Sequence, residues 1–272
     1  MTLQNLHTHT VFSDGKNTAE EMVTGALRAG CASLGFSEHS PLPPEADPDR
    51  YTMANVPAYR QEILRLREQY AGELEIFLGL EQDIDSVPPQ DPYDYLIGSV
   101  HGVWKDGVYL PVDDSLEKFA QAAAECYGGD VLGFVRDYYR RVSEVYRKTG
   151  CQIIGHFDLI TKFNQRGGFF DEDSPQYLDL ALAALEPLAK EDVIFEINTG
   201  AMSRGCRTAP YPGPRLLRAV REMGGRVCIT SDSHSMDTVV HAFDQAAELA
   251  RYCGFRETMV LKKTGFQAEP LL

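Results

Sequence analysis

The stretch LQNLHTHTVFSDGKNTAEEMVTGALRAGCASLGFSEH, residues 3–39, reads as one unit of an alternating β/α fold. Residues 3–7 form a candidate strand that runs into the His7-Thr8-His9 triplet. Thr18, with Glu21 three positions later, is a capping-box signature. It opens a helix over residues 18–29 that stops before Gly30. Residues 33–37 form a second short run, and His39 follows it. One strand–helix–strand unit thus delivers three imidazoles to the ends of two strands.

The rhythm continues outward from this unit. Further candidate strands are 74–80, 95–100, 152–156, 193–198, 226–231 and, with a fainter pattern, 257–262. They are short, mostly apolar and bounded by turn residues, as buried parallel strands are. Helical patterns lie between them at 57–70, 174–190, 213–223 and 237–252. Seven or eight such units in 272 residues predict a closed β/α barrel. Residues 102–150 break the pattern. They read as a hairpin turning at Asp106-Gly107 followed by helices over 115–126 and 130–148, an insertion over one barrel face that could act as a lid. With no repeat, low-complexity tract or linker, residues 1–272 form a single domain.

Apolar residues at 43% and charged residues at 24% exclude general disorder. The net charge of −14 repels a nucleic-acid backbone, so no nucleic-acid partner is expected, whereas a small phosphorylated substrate is compatible with it. Six scattered cysteines without a CxxC pair read as reduced thiols. The first residues lack the pattern of a signal peptide and no apolar run reaches membrane-spanning length, so a cytoplasmic protein without membrane contact is expected.

The placement of the histidines is the most informative feature. Six of the seven fall at or just after strand ends: His7, His9, His39, His101, His156 and His234. Glu81 and Asp232 lie at strand ends too, while His241 falls inside the 237–252 helical pattern and reads as structural. In a β/α barrel those ends converge on one mouth. Crowded imidazoles and carboxylates are mutually destabilising without cations. A metal cluster resolves this, and the donor types suit zinc, manganese or iron. His7 and His9 share one face of an extended strand, so both can reach one ion.

In this order, LHTHTVFSDG (6–15), GFSEHSPLP (35–43), GLEQD (79–83), GSVHGV (98–103), IIGHFDLITKFN (153–164), EINTGAMSRG (196–205), YPGP (211–214) and ITSDSH (229–234) resemble the PHP (polymerase and histidinol phosphatase) superfamily, and within it the monofunctional histidinol-phosphatases. The resemblance implies a distorted (β/α)7 TIM-like barrel with three divalent metal ions at the C-terminal strand ends. It implies His7, His9, Glu81 and Asp232 around a first ion. Glu81 bridges to a second, shared with His101 and His156. His39, His234 and Asp14 hold a third, Asp14 standing where other branches often carry histidine.

The implied activity is hydrolysis of a phosphate monoester, with L-histidinol phosphate as substrate in histidine biosynthesis. The expected nucleophile is a water shared by two ions and deprotonated near neutral pH. Asp232 or His234 would protonate the leaving alkoxide. A planar guanidinium matches phosphate oxygens. Arg204 is the first candidate clamp, and Arg166 and Arg207 are further ones. Asp158 could orient a ligand or contact a cationic group. Three other readings compete: the same chemistry on another monoester or a nucleotide, an amidohydrolase-type barrel, and a degenerate non-enzymatic module. Amidohydrolases typically bridge two ions with a lysine on strand 4, whereas His101 ends that strand here and Glu81 supplies the bridge. A degenerate module would have lost ligands that this chain retains.

Overall fold

The computed structural model describes residues 2–46 and 52–271. Seven parallel strands form one sheet: β1 (Gln4–Asn5), β2 (Ser33–Phe36), β3 (Glu75–Asp83), β4 (Tyr95–Ser99), β7 (Ile153–Ile154), β8 (Ile194–Asn198) and β9 (Arg226–Thr230). Their order in the sheet is their order in the chain, interrupted only by a hairpin, β5 (Gly102–Lys105) and β6 (Val108–Pro111). The sheet curls until its first and last strands meet. Thr8 pairs with Ser233, and His9 N and Ser233 N donate to Ser233 O and His7 O at 2.8 and 3.0 Å.

Below that seam a second hairpin, β10 (Glu257–Lys262) with β11 (Gly265–Pro270), fills the gap. The Gln4 amide stands in for a backbone ladder, accepting from Leu261 N at 2.8 Å and donating to Leu261 O at 2.9 Å. Met259 and Leu261 enter the barrel interior with Leu6, Phe77, Tyr95, Ile97, Ile153, Ile194 and Cys228. The 257–262 run is therefore a strand, but an antiparallel one. A two-residue turn leads straight into its partner, with no helix to bring it back parallel.

The period-two alternation of strands explains how one face serves both floor and mouth. Along β3, Phe77 is followed by Gly79, Glu81 and Asp83; along β8, Ile194 by Glu196 and Asn198; along β9, Cys228 by Thr230, then Asp232. Apolar residues lie at the bottom and polar ones at the top. The intervening residues, such as Ile76, Leu78 and Leu80, pack outward against helices. Gly35 and Gly79 make the floor possible. A Cβ at either would lie 2.3 or 2.2 Å from the Tyr95 ring or hydroxyl, which crosses the barrel.

The outer layer comprises α1 (Ala19–Arg28), α2 (Val56–Gln69), α7 (Pro175–Leu188), α9 (Pro214–Glu222) and α10 (Phe243–Tyr252), with short turns α6 (Asn164–Gly167) and α8 (Gly200–Ser203). Both halves of the Thr18–Glu21 capping box form. Thr18→Ala should therefore cost ~1 kcal/mol, read as a thermal midpoint lower by about 2–4 °C. Residues 84–94 join β3 to β4 without a helix, which distorts the β/α repeat. The insertion continues from its hairpin into α3 (Leu116–Tyr127), α4 (Val131–Val142) and α5 (Val145–Thr149), so the 130–148 pattern breaks after Val142. Phe119, Phe134, Tyr138 and Tyr139 are buried packing residues, and Tyr139 Oη meets Tyr177 Oη of α7 at 2.7 Å. The 237–252 pattern shortens to α10, and His241 lies in the turn ahead of it. Among the described residues no helix is long and apolar enough to cross a membrane.

Candidate metal centre

Glu81 stands at the centre of the barrel mouth, buried, with five imidazoles around its carboxylate. Oε2 lies 2.8 Å from His39 Nδ1, 3.3 Å from His7 Nε2 and 3.5 Å from His9 Nε2. Oε1 lies 2.8 Å from His156 Nε2 and 3.2 Å from His101 Nε2. One carboxylate thus presents its two oxygens to two different groups of imidazoles. Asp232 Oδ1 faces His9 Nε2 at 3.4 Å, His234 Nδ1 at 3.5 Å and His7 Nε2 at 3.8 Å. Asp14 completes the outer edge, with Oδ2 3.2 Å from His234 Nε2 and Oδ1 3.6 Å from His39 Nε2.

Three sets of donor atoms lie within 4.8 Å of one another: His7, His9 and Asp232; His39, Glu81 and His101; His9, Asp14, His39 and His234. These sets overlap. His9 and His39 each face two of them, which the reading of one imidazole per ion did not include. His156 joins through its contact with Glu81.

Several of these atoms lack a hydrogen-bond partner although fully buried: His7 Nε2, both nitrogens of His9 and Glu81 Oε2. Unpaired polar atoms in a dry site cost ~1–3 kcal/mol each. Cations held between them would satisfy His7 Nε2, Glu81 Oε2 and the unprotonated nitrogen of His9, and the donor set of imidazoles and carboxylates fits divalent ions.

Electrostatics lead to the same place. Burial alone would push Glu81 up, but His39, His7 and His101 outweigh it and hold its carboxyl well below the usual range. Burial would push His7 and His101 down, but the carboxylates outweigh it. Glu196, Glu81 and Asp232 hold His7 well above its ordinary value, and Glu81 and Asp83 do the same for His101. His9 is the opposite case, pushed down to about 3 by burial and by His39 and His234. The carboxylates demand positive charge that His9 cannot supply.

Two orienting carboxylates lie behind the ligands, and sequence reading gave them no role. Glu196 meets His7 Nδ1 at 2.5 Å, aiming Nε2 at the mouth. It also accepts from Thr230 Oγ1, His156 N and Asn198 Nδ2 at 2.6, 2.7 and 3.0 Å. Asp83 lies 2.8 Å from His101 Nδ1 and aims that ring in the same manner. Carboxylates commonly orient metal-binding imidazoles in this way. The signal was available: Asp83 and Glu196 share the inward strand face with Glu81 and Ile194.

Above the ligands is a cavity of about 640 Å³. Arg204 reaches it from the turn after β8. Its guanidinium donates to Asp232 O at 3.1 Å and Asp232 Oδ2 at 3.0 Å, with His234 Nδ1 3.1 Å away. Lys162 lines the cavity as well, donating to Asp113 O at 2.6 Å, a cation that sequence reading passed over. The insertion forms the opposite wall with Tyr109, Asp113, Asp114 and Lys118, and Glu45 stands at the rim.

Arg207 and Arg166 are not at this mouth. The Arg207 guanidinium is buried against Glu172 (3.0 and 3.1 Å) and Thr161 O (2.8 Å) and does not line the cavity. Arg166 donates to Gly205 O on the outer surface. Asp158 is buried and accepts from Gly213 N at 2.8 Å. Its place is beneath the 211–214 segment rather than in the cavity lining.

The comparisons with known proteins agree with this architecture. The PHP domain family profile matches residues 5–200. A relative in Deinococcus radiodurans named probable histidinol-phosphatase is 34% identical, covering 92% of this chain and 93% of its own. The histidinol-phosphatase of Bacillus subtilis is 28% identical over 89% of this chain and 97% of its own. Among solved structures, histidinol phosphate phosphatase from Lactococcus lactis, complexed with zinc, L-histidinol and phosphate, superposes with a TM-score of 0.72 at 22% identity, covering 98% of this chain and 99% of its own. A solved structure from Listeria monocytogenes, named putative histidinol phosphatase, gives 0.76 at 22% identity, covering 89% and 99%. A seven-stranded parallel barrel with this set of histidines and carboxylates at its strand ends, matched by the family profile over most of its length, belongs to the PHP domain family.

Proposed function

We propose that the protein is a metal-dependent phosphatase that hydrolyses L-histidinol phosphate to L-histidinol and phosphate, using three divalent ions. The observation that carries this reading is the division of Glu81, whose two oxygens face separate groups of imidazoles directly below a cavity bearing Arg204. His7, His9, Glu81 and Asp232 would hold one ion, Glu81, His101 and His156 a second, and Asp14, His39 and His234 a third. Zinc, manganese and iron all suit these donors. When bound, such ions supply a nucleophile at neutral pH and neutralise charge on phosphate oxygens.

The chain's own residues supply the rest. Arg204 offers a planar fork to the phosphate and is fixed in place by Asp232. Lys162 adds a second positive charge to the cavity. Asp113, Asp114 and Glu45, only partly offset by Lys118 beside Asp114 and Lys162 beside Asp113, offer carboxylates to the ammonium of histidinol phosphate. The names of the relatives from Deinococcus radiodurans and Bacillus subtilis support the same substrate.

The test is phosphate release from L-histidinol phosphate beside a panel of other monoesters and a nucleotide. The protein is assayed as purified, after chelation, and with manganese or zinc restored. Preference for histidinol phosphate with recovery on metal addition is expected. Metal-dependent release from another ester would overturn the substrate, and release that survives chelation would overturn the mechanism. Arg204→Ala should lower kcat/KM about 10- to 150-fold, the equivalent of a ~1.5–3 kcal/mol hydrogen bond to a charged group. Arg204→Lys should recover only part of it, because the fork is lost.

A further inference from the structure

Asp14 is the only carboxylate of the candidate metal centre borne on a loop rather than at a strand end. The loop is bound to the barrel by a residue one place before a ligand. Glu38 is fully buried and, by the alternation of its strand, faces away from His39. It accepts three side-chain hydrogen bonds, all from residues 10–13: Thr10 N at 3.2 Å, Thr10 Oγ1 at 2.7 Å, and the Ser13 hydroxyl. The loop then doubles back. Ser13 N and Gly15 N both donate to Thr10 O, at 3.1 and 2.9 Å. A Cβ on Gly15 would lie 2.5 Å from the His9 carbonyl and Thr10 N, so this turn is pressed onto the strand end that carries the two histidines. Lys16 N closes it against His234 O at 2.8 Å. Asp14, at its tip, is delivered to His39, His9 and His234 at 3.6, 3.9 and 3.2 Å.

We propose that Glu38 is the positioning residue of the outermost ion site: by holding Thr10 and Ser13 it sets the loop at the height where Asp14 completes the group formed by His9, His39 and His234. This rests on the metal-centre reading above. The role is geometric, and the donors decide what can replace the carboxylate. Two of the three are hydroxyls, which can turn to accept. Glutamine can therefore take Thr10 N and Ser13 Oγ on its carbonyl oxygen and donate to Thr10 Oγ1. Alanine can do neither.

The experiment measures bound metal per chain after equilibrium dialysis of the holoprotein against buffered zinc, with circular dichroism recorded on every variant. Wild type and Glu38→Gln should hold the same number of ions. Glu38→Ala should lose one, with affinity at that site lowered about 10- to 100-fold, as removal of outer-shell partners does elsewhere. Asp14→Ala should lose the same ion, and the double variant should lose no more than Asp14→Ala alone. Because Glu38→Ala empties a buried position, a second variant addresses the same bonds from the loop: Thr10→Val with Ser13→Ala should also cost one ion. Full metal content in that variant, or in a folded Glu38→Ala, would overturn the proposal. So would loss of every ion together in any of these variants. Asp14→Ala with a full complement would overturn the assignment of Asp14 itself, and a wild type that binds no zinc would overturn the metal centre beneath it.

Discussion

Replacing Glu81 by glutamine should lower kcat/KM for phosphate release by about 10⁴-fold, the equivalent of ~5 kcal/mol of transition-state stabilisation. The substitution is close to isosteric, so packing around the barrel mouth is kept. What is lost is the second acceptor. A carboxylate can face His7, His9 and His39 with one oxygen and His101 and His156 with the other, accepting on both sides. An amide has one acceptor, and its nitrogen directs hydrogens at whichever group it faces. Two neighbouring cations cannot share such a group. The measurement is steady-state phosphate release together with bound metal and circular dichroism. Activity within tenfold of wild type in a folded Glu81→Gln protein would remove Glu81 from the centre of the mechanism.

Stripping the metal should lower the thermal midpoint by about 10 °C for each tightly bound ion removed. An ion present at a thousand times its Kd contributes ~4.1 kcal/mol, and each kcal/mol is worth about 2–4 °C in a domain of this size. The effect has a defined pH dependence. His7 and His101 are held above their ordinary values, so in the metal-free protein they contribute stability at low pH that is lost as pH rises through those raised values. His9 is held down at about 3 and works in the opposite sense, withdrawing stability as pH falls below ~6.5, where the unfolded chain takes up its proton. Bound ions must displace the protons on His7 and His101, so metal affinity should fall as pH falls. Differential scanning calorimetry with and without chelator, across pH 5.5–8.5, would show this. An unchanged midpoint after complete removal of metal would mean that the ligands are satisfied without ions.

That these side chains would gather at one mouth was legible in the sequence for a simple reason. Parallel barrel strands are short and apolar, so a histidine at the end of such a run is conspicuous, and the fold carries all the ends to one side. His7, His39, His101 and Asp232 needed no more than that. Residues that act through other residues were not legible. Glu196 lies inside a strand between Phe195 and Ile197, and only the inward face of β8 distinguishes it from a buried structural acid. Glu38 is hidden beside His39 because adjacent strand residues point to opposite faces. The arginines failed in the reverse direction. Arg207 and Arg204 are three residues apart on one turn, yet one faces Glu172 and the other the cavity. That division depends on the path of a loop, which no periodicity records. The 257–262 run is a strand as its composition indicates, but it pairs antiparallel with β11 outside the seven-stranded sheet, which composition alone does not record.

The seam between Thr8 and Ser233 has a consequence for how the protein comes into being. His234 Nε2 and Asp14 Oδ2 are 3.2 Å apart in space and 220 residues apart in the chain. A nascent chain carries the first imidazoles early but lacks Asp232 and His234, which complete their surroundings, until the last strand of the sheet has been made. Contacts of such long range form late and slowly. On the proposed reading, ion capture at the outermost site would therefore report finished assembly, because a half-made barrel lacks Asp232 and His234 at its mouth.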